Sequence, residues 1–318
     1  MLNFLRLVRF QNLLMIALVQ SLLRWCIMSP IMKSKGFELQ TSNFDFCLLV
    51  LSTMLLAAAG YVINDYFDRK TDLINQPGSV LIWKTFSGRF AIAMHSLLNT
   101  LAVITGIVLV IKVGLYKLSI IYLIVPAVLW FYSAYYKRRF LSGNLIIALF
   151  IALIPMMVAL FEAPLLRKEY RESIFTINYE LNHVFFWIAG YSFFAFLMAL
   201  VYMIIKDIEH YQGDVECGRK TLPAVLGINI TRIIVVALSL IIFFSSAYIV
   251  YKSLNDEVSI LYFLAAIVLP MIFMIIFLMR SYSPEDFRRA GIAARIILIA
   301  GIFYILVAGY ILNKHIII

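Results

Sequence analysis

The stretch YVINDYFDRKTDLINQP, Tyr61 to Pro77, sets Asn64, Asp65, Asp68 and Asp72 directly beyond a long apolar run. On a helix, Asp65, Asp68 and Asp72 fall within about 60° of one another, and Asn64 joins that face one turn before Asp68. Like charges stacked at helical spacing repel, so the pattern calls for a cation between them. The apolar run that precedes the acids is of the length, about 20 residues, that carries a helix across a hydrocarbon core.

Such runs recur along the whole chain, at 12–31, 45–63, 91–111, 118–136, 143–161, 184–205, 230–251, 259–279 and 293–312. Of the 318 residues 64% are hydrophobic and 14% charged, against about 45–50% and about 25% in an ordinary globular chain. Continuous apolar runs favour helices over barrel strands, which show short alternating segments. The composition therefore predicts an all-α polytopic membrane protein, with about nine transmembrane helices. No Pro/Gly/Ser-rich linker divides it, so residues 1–318 read as one integral membrane domain.

The net charge is +10. The basic residues are spread among short loops instead of forming a patch with interleaved aromatics, which argues against a nucleic-acid partner. If the N-terminus is cytoplasmic, 17 of the 27 Lys and Arg lie on or near that face, in line with the positive-inside rule. The loops after the second and sixth helices then share the cytoplasmic side of what reads as a cell inner membrane. Arg6 and Arg9 before an apolar run resemble a signal peptide, but Gln20 and Arg24 interrupt the run, and a retained first helix is the expectation. Cys26, Cys47 and Cys217 lack metal-site spacing and are read as free thiols.

A second acidic cluster lies in IKDIEHYQGDVECGRKTLP, Ile205 to Pro223, where Asp207, His210 and Asp214 repeat the 0, 3, 7 spacing. Gly213 is the expected break in helical geometry before Asp214. Hard oxygen ligands from a few carboxylates, completed by water and phosphate, suit Mg²⁺. Arg69, Lys70, Lys84, Lys206, Arg219 and Lys220 are near enough in sequence to neutralise remaining phosphate charge. Two matched clusters on one face point to a diphosphate–metal site.

These residues resemble the UbiA superfamily of intramembrane prenyltransferases. The family's first motif, Asn-Asp-x-x-Asp-x-x-x-Asp, reads here as NDYFDRKTD from Asn64 to Asp72, and the second aspartate motif is similar to Asp207–Asp214 with GRKTLP downstream. Weaker similarity lies in YSAYYKRRFLSGN, Tyr132 to Asn144, and in the opening LRLVRFQNLL. The resemblance implies a helical bundle around a membrane-embedded central cavity, with Mg²⁺ bridging both motifs and an isoprenoid diphosphate. It makes Asn64, Asp68, Asp72 and Asp214 metal-site candidates, with Asp65 and Asp207 as ligands or supporting partners. Two departures stand out. His210 occupies a position where the family usually has Asp, so either Asp207 or a water takes over the ligand role, or the imidazole donates to the diphosphate. After Pro77 the chain reads GSVLIWKTFSGR in place of an Arg-Pro run, leaving Lys84 as the substitute phosphate contact.

On this reading Asp68, Asp72, Asp214 and Lys84 serve the chemistry, while Arg69, Lys206, His210 and Lys220 hold the diphosphate. Tyr132, Ser133 and Asn144 bind substrate, with Ser133 or Asn144 orienting the acceptor, and Tyr61, Tyr132, Tyr135 and Tyr202 are candidates to face an allylic cation. The variant pattern NDYFDxxxDxIN with KDIExxxGD looks most like the subgroup that alkylates a prenylated glycerol phosphate. Prenylation of 4-hydroxybenzoate or dihydroxynaphthoate is the second reading, and secondary transport a third of another class. The expected partners are an isoprenoid diphosphate donor, a lipophilic acceptor and membrane lipids. Arg24 is expected either to line the cavity mouth or to snorkel, and Glu162–Ser173 to form a solvated loop.

Overall fold

A computed structural model describes residues 2–78, 80–254, 256–280 and 283–317. Ser79, within the segment that departs from the family pattern after Pro77, lies outside the described residues. Among the described residues nine helices are long and apolar enough to cross a membrane. They are α1 (Phe10–Lys33), α2 (Asn43–Asn75), α3 (Gly88–Val113), α4 (Tyr116–Arg138), α5 (Ser142–Glu169), α6 (Arg171–Glu209), α7 (Ile228–Lys252), α8 (Glu257–Arg280) and α9 (Pro284–Lys314). The nine expected spans are all present, and the helices overrun the apolar runs that mark them.

The overrun matters most at α2. Its 33 residues rise about 50 Å, well beyond the ~30 Å of a hydrocarbon core. The first acidic cluster is therefore not in a loop, as the end of the apolar run suggested. It occupies the last turns of an unbroken helix, started by Ser42, whose Oγ accepts the Asp45 N–H at 3.1 Å.

Burial separates inner from outer helices. Half of the apolar window of α6 is buried, against 17% in α7 and α8, so α6 lies inside the bundle while α7 and α8 turn most of their surface outward. On α3, Leu97, Leu101, Ile104, Val108 and Ile111 form an exposed stripe at helical spacing, while Ala91, His95, Leu98, Ala102 and Leu109 face inward. The main packing pairs are α2 with α3, α5 with α6, and α9 with α6 and α8. His95 ties α3 to α2 through the Ala59 carbonyl, 2.9 Å from Nδ1. Gly106 lets α3 approach α4: a Cβ there would stand 2.3 Å from the Tyr122 ring, whose hydroxyl meets Ser52 of α2 at 3.0 Å.

Two π-helical segments, Leu23–Met28 and Phe263–Val268, end two residues before Pro30 and Pro270. Proline lacks an N–H to donate and its ring crowds the preceding turn, so a widened turn there relieves the clash.

Arg24 and Glu162 correct the sequence reading. Arg24 neither lines a cavity mouth nor snorkels: it is buried, and its Nη1 lies 3.2 Å from Glu162 Oε2. Its Nη2 donates to the Thr41 carbonyl. Glu162 belongs to α5, which runs helically to Glu169, and accepts the Gln40 and Thr41 N–H groups as well. The chain before α2 is thereby strapped to α1 and α5. Removing one partner of a buried pair leaves an uncompensated charge, so Glu162→Ala is expected to cost about 3–5 kcal/mol. Unfolding in detergent checks this, and wild-type stability would mean the pair is not interior.

Candidate functional site

The site forms where the last turns of α2 meet the end of α4, the start of α5 and the α6–α7 connection. Asn64, Asp68 and Asp72 recur every four residues on α2, and the first two are buried. Asp65, about 60° from Asp68 around the helix, pairs instead with Arg9, whose Nη2 is 3.0 Å from Oδ1 and whose guanidinium sits over the Tyr61 ring at 4.9 Å.

Asp68 is the centre. Lys137, in a 3₁₀ turn that closes α4, donates to Asp68 Oδ2 and to Asn64 Oδ1, the latter at 2.8 Å. Arg219 donates through Nη2 to the other oxygen, Oδ1, at 2.8 Å, and its Nη1 lies 3.6 Å from Asp214. One carboxylate thus joins three segments distant in sequence. The tight turn behind Lys137 is made possible by Gly143, where a Cβ would come within 2.8 Å of the Lys137 Cα.

The second cluster breaks at His210, not at Gly213. α6 ends at Glu209, His210 has φ −95° and ψ 10°, and a short helix, Tyr211–Glu216, carries Asp214. Asp207 and Asp214 therefore lie on different helices. Asn144, at the start of α5, donates to Asp207 at 2.7 Å. Gly218, with φ +68°, turns the chain so that the Arg219 N–H reaches the Asp214 carbonyl at 2.8 Å and the Lys220 N–H reaches the Arg138 carbonyl at 2.9 Å.

Burial pushes the Asp214 carboxyl up to about 6, against the opposing pull of Arg219 and Lys137. Burial, and then the Lys206 charge, lower the His210 imidazole to about 4, so it is neutral at physiological pH. Its Nε2 lies 3.1 Å from the Gln76 amide nitrogen, outside the carboxylate group.

Several residues singled out from the sequence do not converge on the carboxylates. Lys84 donates to the Pro77 carbonyl at 2.6 Å and is exposed. Arg69 stacks on Trp83 at 4.7 Å, and Lys206 pairs with Glu209 at 2.8 Å. The Lys220 side chain is exposed, and Ser133 donates back to the Leu129 carbonyl of its own helix. Tyr132 is buried within charge reach of Lys137, Asp68 and Asp207. The aromatic candidates diverge: Tyr135 is exposed under Arg139, and Tyr202 accepts from Arg295 at 2.7 Å.

Sequence reasoning passed over Lys137, although it lies inside the YSAYYKRRFLSGN stretch, and counted Arg219 merely as one of six nearby cations. Among the described residues no three His, Cys, Asp or Glu side chains are gathered to enclose an ion. Lys137 and Arg219 occupy the positions between the carboxylates. The donors themselves, an amide oxygen and several carboxylates, are the hard oxygen set that suits Mg²⁺. Because Lys137 competes for the same oxygens, Lys137→Met is expected to raise affinity for Mn²⁺ several-fold when no diphosphate is present. Electron paramagnetic resonance titration reads this directly; weaker binding would show that Lys137 organises the ligands instead of competing with the ion.

The sequence profile of the UbiA prenyltransferase family matches residues 37–299. The chain is 31% identical over 203 residues to the digeranylgeranylglyceryl phosphate synthase of Methanothermobacter thermautotrophicus, covering 63% of each chain. It is 30% identical over 243 residues to the enzyme of that name from Saccharolobus solfataricus, covering 75% of each. Among solved structures, one described as a digeranylgeranylglyceryl phosphate synthase in membranes superposes with a TM-score of 0.57 over 98% of both chains at 19% identity. A UbiA homolog from Archaeoglobus fulgidus, bound to DMAPP and Mg²⁺, gives 0.51 at 18% identity over 96% of this chain and 99% of its own. With both acidic motifs drawn together on a helical bundle, and with a family profile spanning most of its length, this chain belongs to the UbiA prenyltransferase family.

Proposed function

We propose that this protein transfers a prenyl group from an isoprenoid diphosphate to a prenylated glycerol phosphate, forming an ether lipid. The observation that carries the reading is Asp68, whose two oxygens draw Lys137 and Arg219 to the point where both acidic motifs meet. The acceptor follows from the relatives' shared name, digeranylgeranylglyceryl phosphate synthase. The whole bundle acts as one unit around a central cavity, with the acidic motifs toward the cytoplasm.

Asn64, Asp68, Asp72 and Asp214 would hold Mg²⁺, with Asp207 beside them and Asp65 held back by Arg9. When bound, that ion neutralises the charge developing on the diphosphate as the allylic carbon–oxygen bond breaks. The chain's own cations do related work. Lys137 and Arg219, drawn off Asp68, are placed to donate to the diphosphate oxygens, and their stabilisation of the leaving group lowers the barrier. Arg69, Lys206 and Lys220 add positive charge around the mouth of the site, and Lys84 does so from the loop after α2. Tyr132, buried next to the carboxylates, offers its ring to the allylic cation and shields it from water. Asn144 holds Asp207 in place, and the acceptor hydroxyl forms the ether bond to the allylic carbon as the diphosphate leaves, its proton passing to the released diphosphate.

The test is incubation of the purified protein with Mg²⁺, prenyl diphosphates of graded length, and a panel of glycerol-phosphate and aromatic acceptors, with products read by mass spectrometry. An ether-linked product with the glycerol-phosphate acceptor is expected. Product with aromatic acceptors alone would replace that acceptor, and none with any pair would remove the enzyme reading. Asp68→Ala and Asp214→Ala are each expected to lower turnover by at least about a hundredfold with the helical circular dichroism retained.

A further inference from the structure

The two acidic clusters are also joined at a second place, away from Asp68. α2 ends at Asn75, and its Oδ1 accepts the Gly213 N–H at 3.0 Å. A backbone N–H can only donate, so this contact fixes which way the amide points. The approach is close: a Cβ on Gly213 would stand 2.6 Å from both terminal atoms of the Asn75 amide. The next residue, Gln76, leaves the helix while its N–H still holds the Asp72 carbonyl at 2.8 Å. Its side-chain nitrogen lies 3.1 Å from His210 Nε2 and 3.3 Å from Glu209 Oε1. An amide NH₂ has two protons, so it serves both acceptors, with the imidazole proton on Nδ1. Glu209 is steadied in turn by Lys206.

These contacts bracket the chemistry. Asn75 comes three residues after Asp72, Gly213 directly before Asp214, and His210 three residues after Asp207. We propose that Asn75 and Gln76 are positioning residues, a strut whose footing on Gly213 and His210 sets the gap that the two acidic clusters present to a diphosphate. This rests on the prenyl-diphosphate reading. It also accounts for the imidazole where the family pattern has an acid. A carboxylate at 210 would set a second negative charge beside Glu209, whereas a neutral ring accepts from Gln76 without adding charge.

The experiment is Mg²⁺-dependent binding of inorganic pyrophosphate to the full chain in detergent, by calorimetry, with thermal melting alongside. Gln76→Ala and His210→Ala are each expected to weaken pyrophosphate about tenfold, and the double variant by no more than the larger single loss, because both remove one contact. Gly213→Ala reads the same strut from the Asn75 side, with a similar loss. Gln76→Arg combined with His210→Asp rebuilds the link as an ion pair and is expected to return affinity to within about threefold of wild type. Affinity within twofold of wild type in both Gln76→Ala and Gly213→Ala, or single losses at 76 and 210 that multiply in the double variant, would overturn the strut. A wild-type protein that binds no pyrophosphate with Mg²⁺ would overturn the prenyl-diphosphate reading and the strut together.

Discussion

Asp68 is a carboxylate buried near a membrane surface, and the rest of the site is arranged around the cost of putting it there. An ion withdrawn from water loses several kcal/mol of solvation, and only close, well-aligned opposite charge recovers it. Lys137 and Arg219 supply that charge from the end of α4 and from the α6–α7 connection. The same need that neutralises Asp68 therefore folds the two acidic motifs onto one point.

That arrangement depends on backbone economy elsewhere. Around the site, Gly143 and Gly213 lie where the chain passes close to another segment, and Gly218 where it must turn left-handed. At the opposite end, the buried Arg24–Glu162 pair does for α1, α5 and the chain before α2 what Asp68 does for the site. In both, a charge too costly to leave alone is satisfied by groups from several helices, so the contact holds those segments to one point.

Apolar runs fix the number of spans because a bilayer imposes a length on every crossing helix. The 0, 3, 7 spacing marks both acidic clusters because a helix turns by a fixed angle per residue. Helix ends were less legible. α2 continues about three turns past its apolar run because polar residues also form helix, and hydropathy registers the membrane, not the helix. Arg24 and Glu162 looked like interface residues because each is interpretable only beside its partner, 138 positions away.

The sequence by itself determined the helical membrane class, the nine spans, the two acidic clusters and the family they resemble, since each is written in local composition or in helical periodicity. The tertiary structure alone decided that Lys137 is a partner of Asp68, that Arg219 rather than Lys84 bridges the motifs, that Asp65 turns to Arg9, and that His210 rests on Gln76. The physical reason is that charge pairing acts through space. Which of many cations meets a given carboxylate is set by where the helices end and how closely their backbones pass, and no spacing along the chain records it.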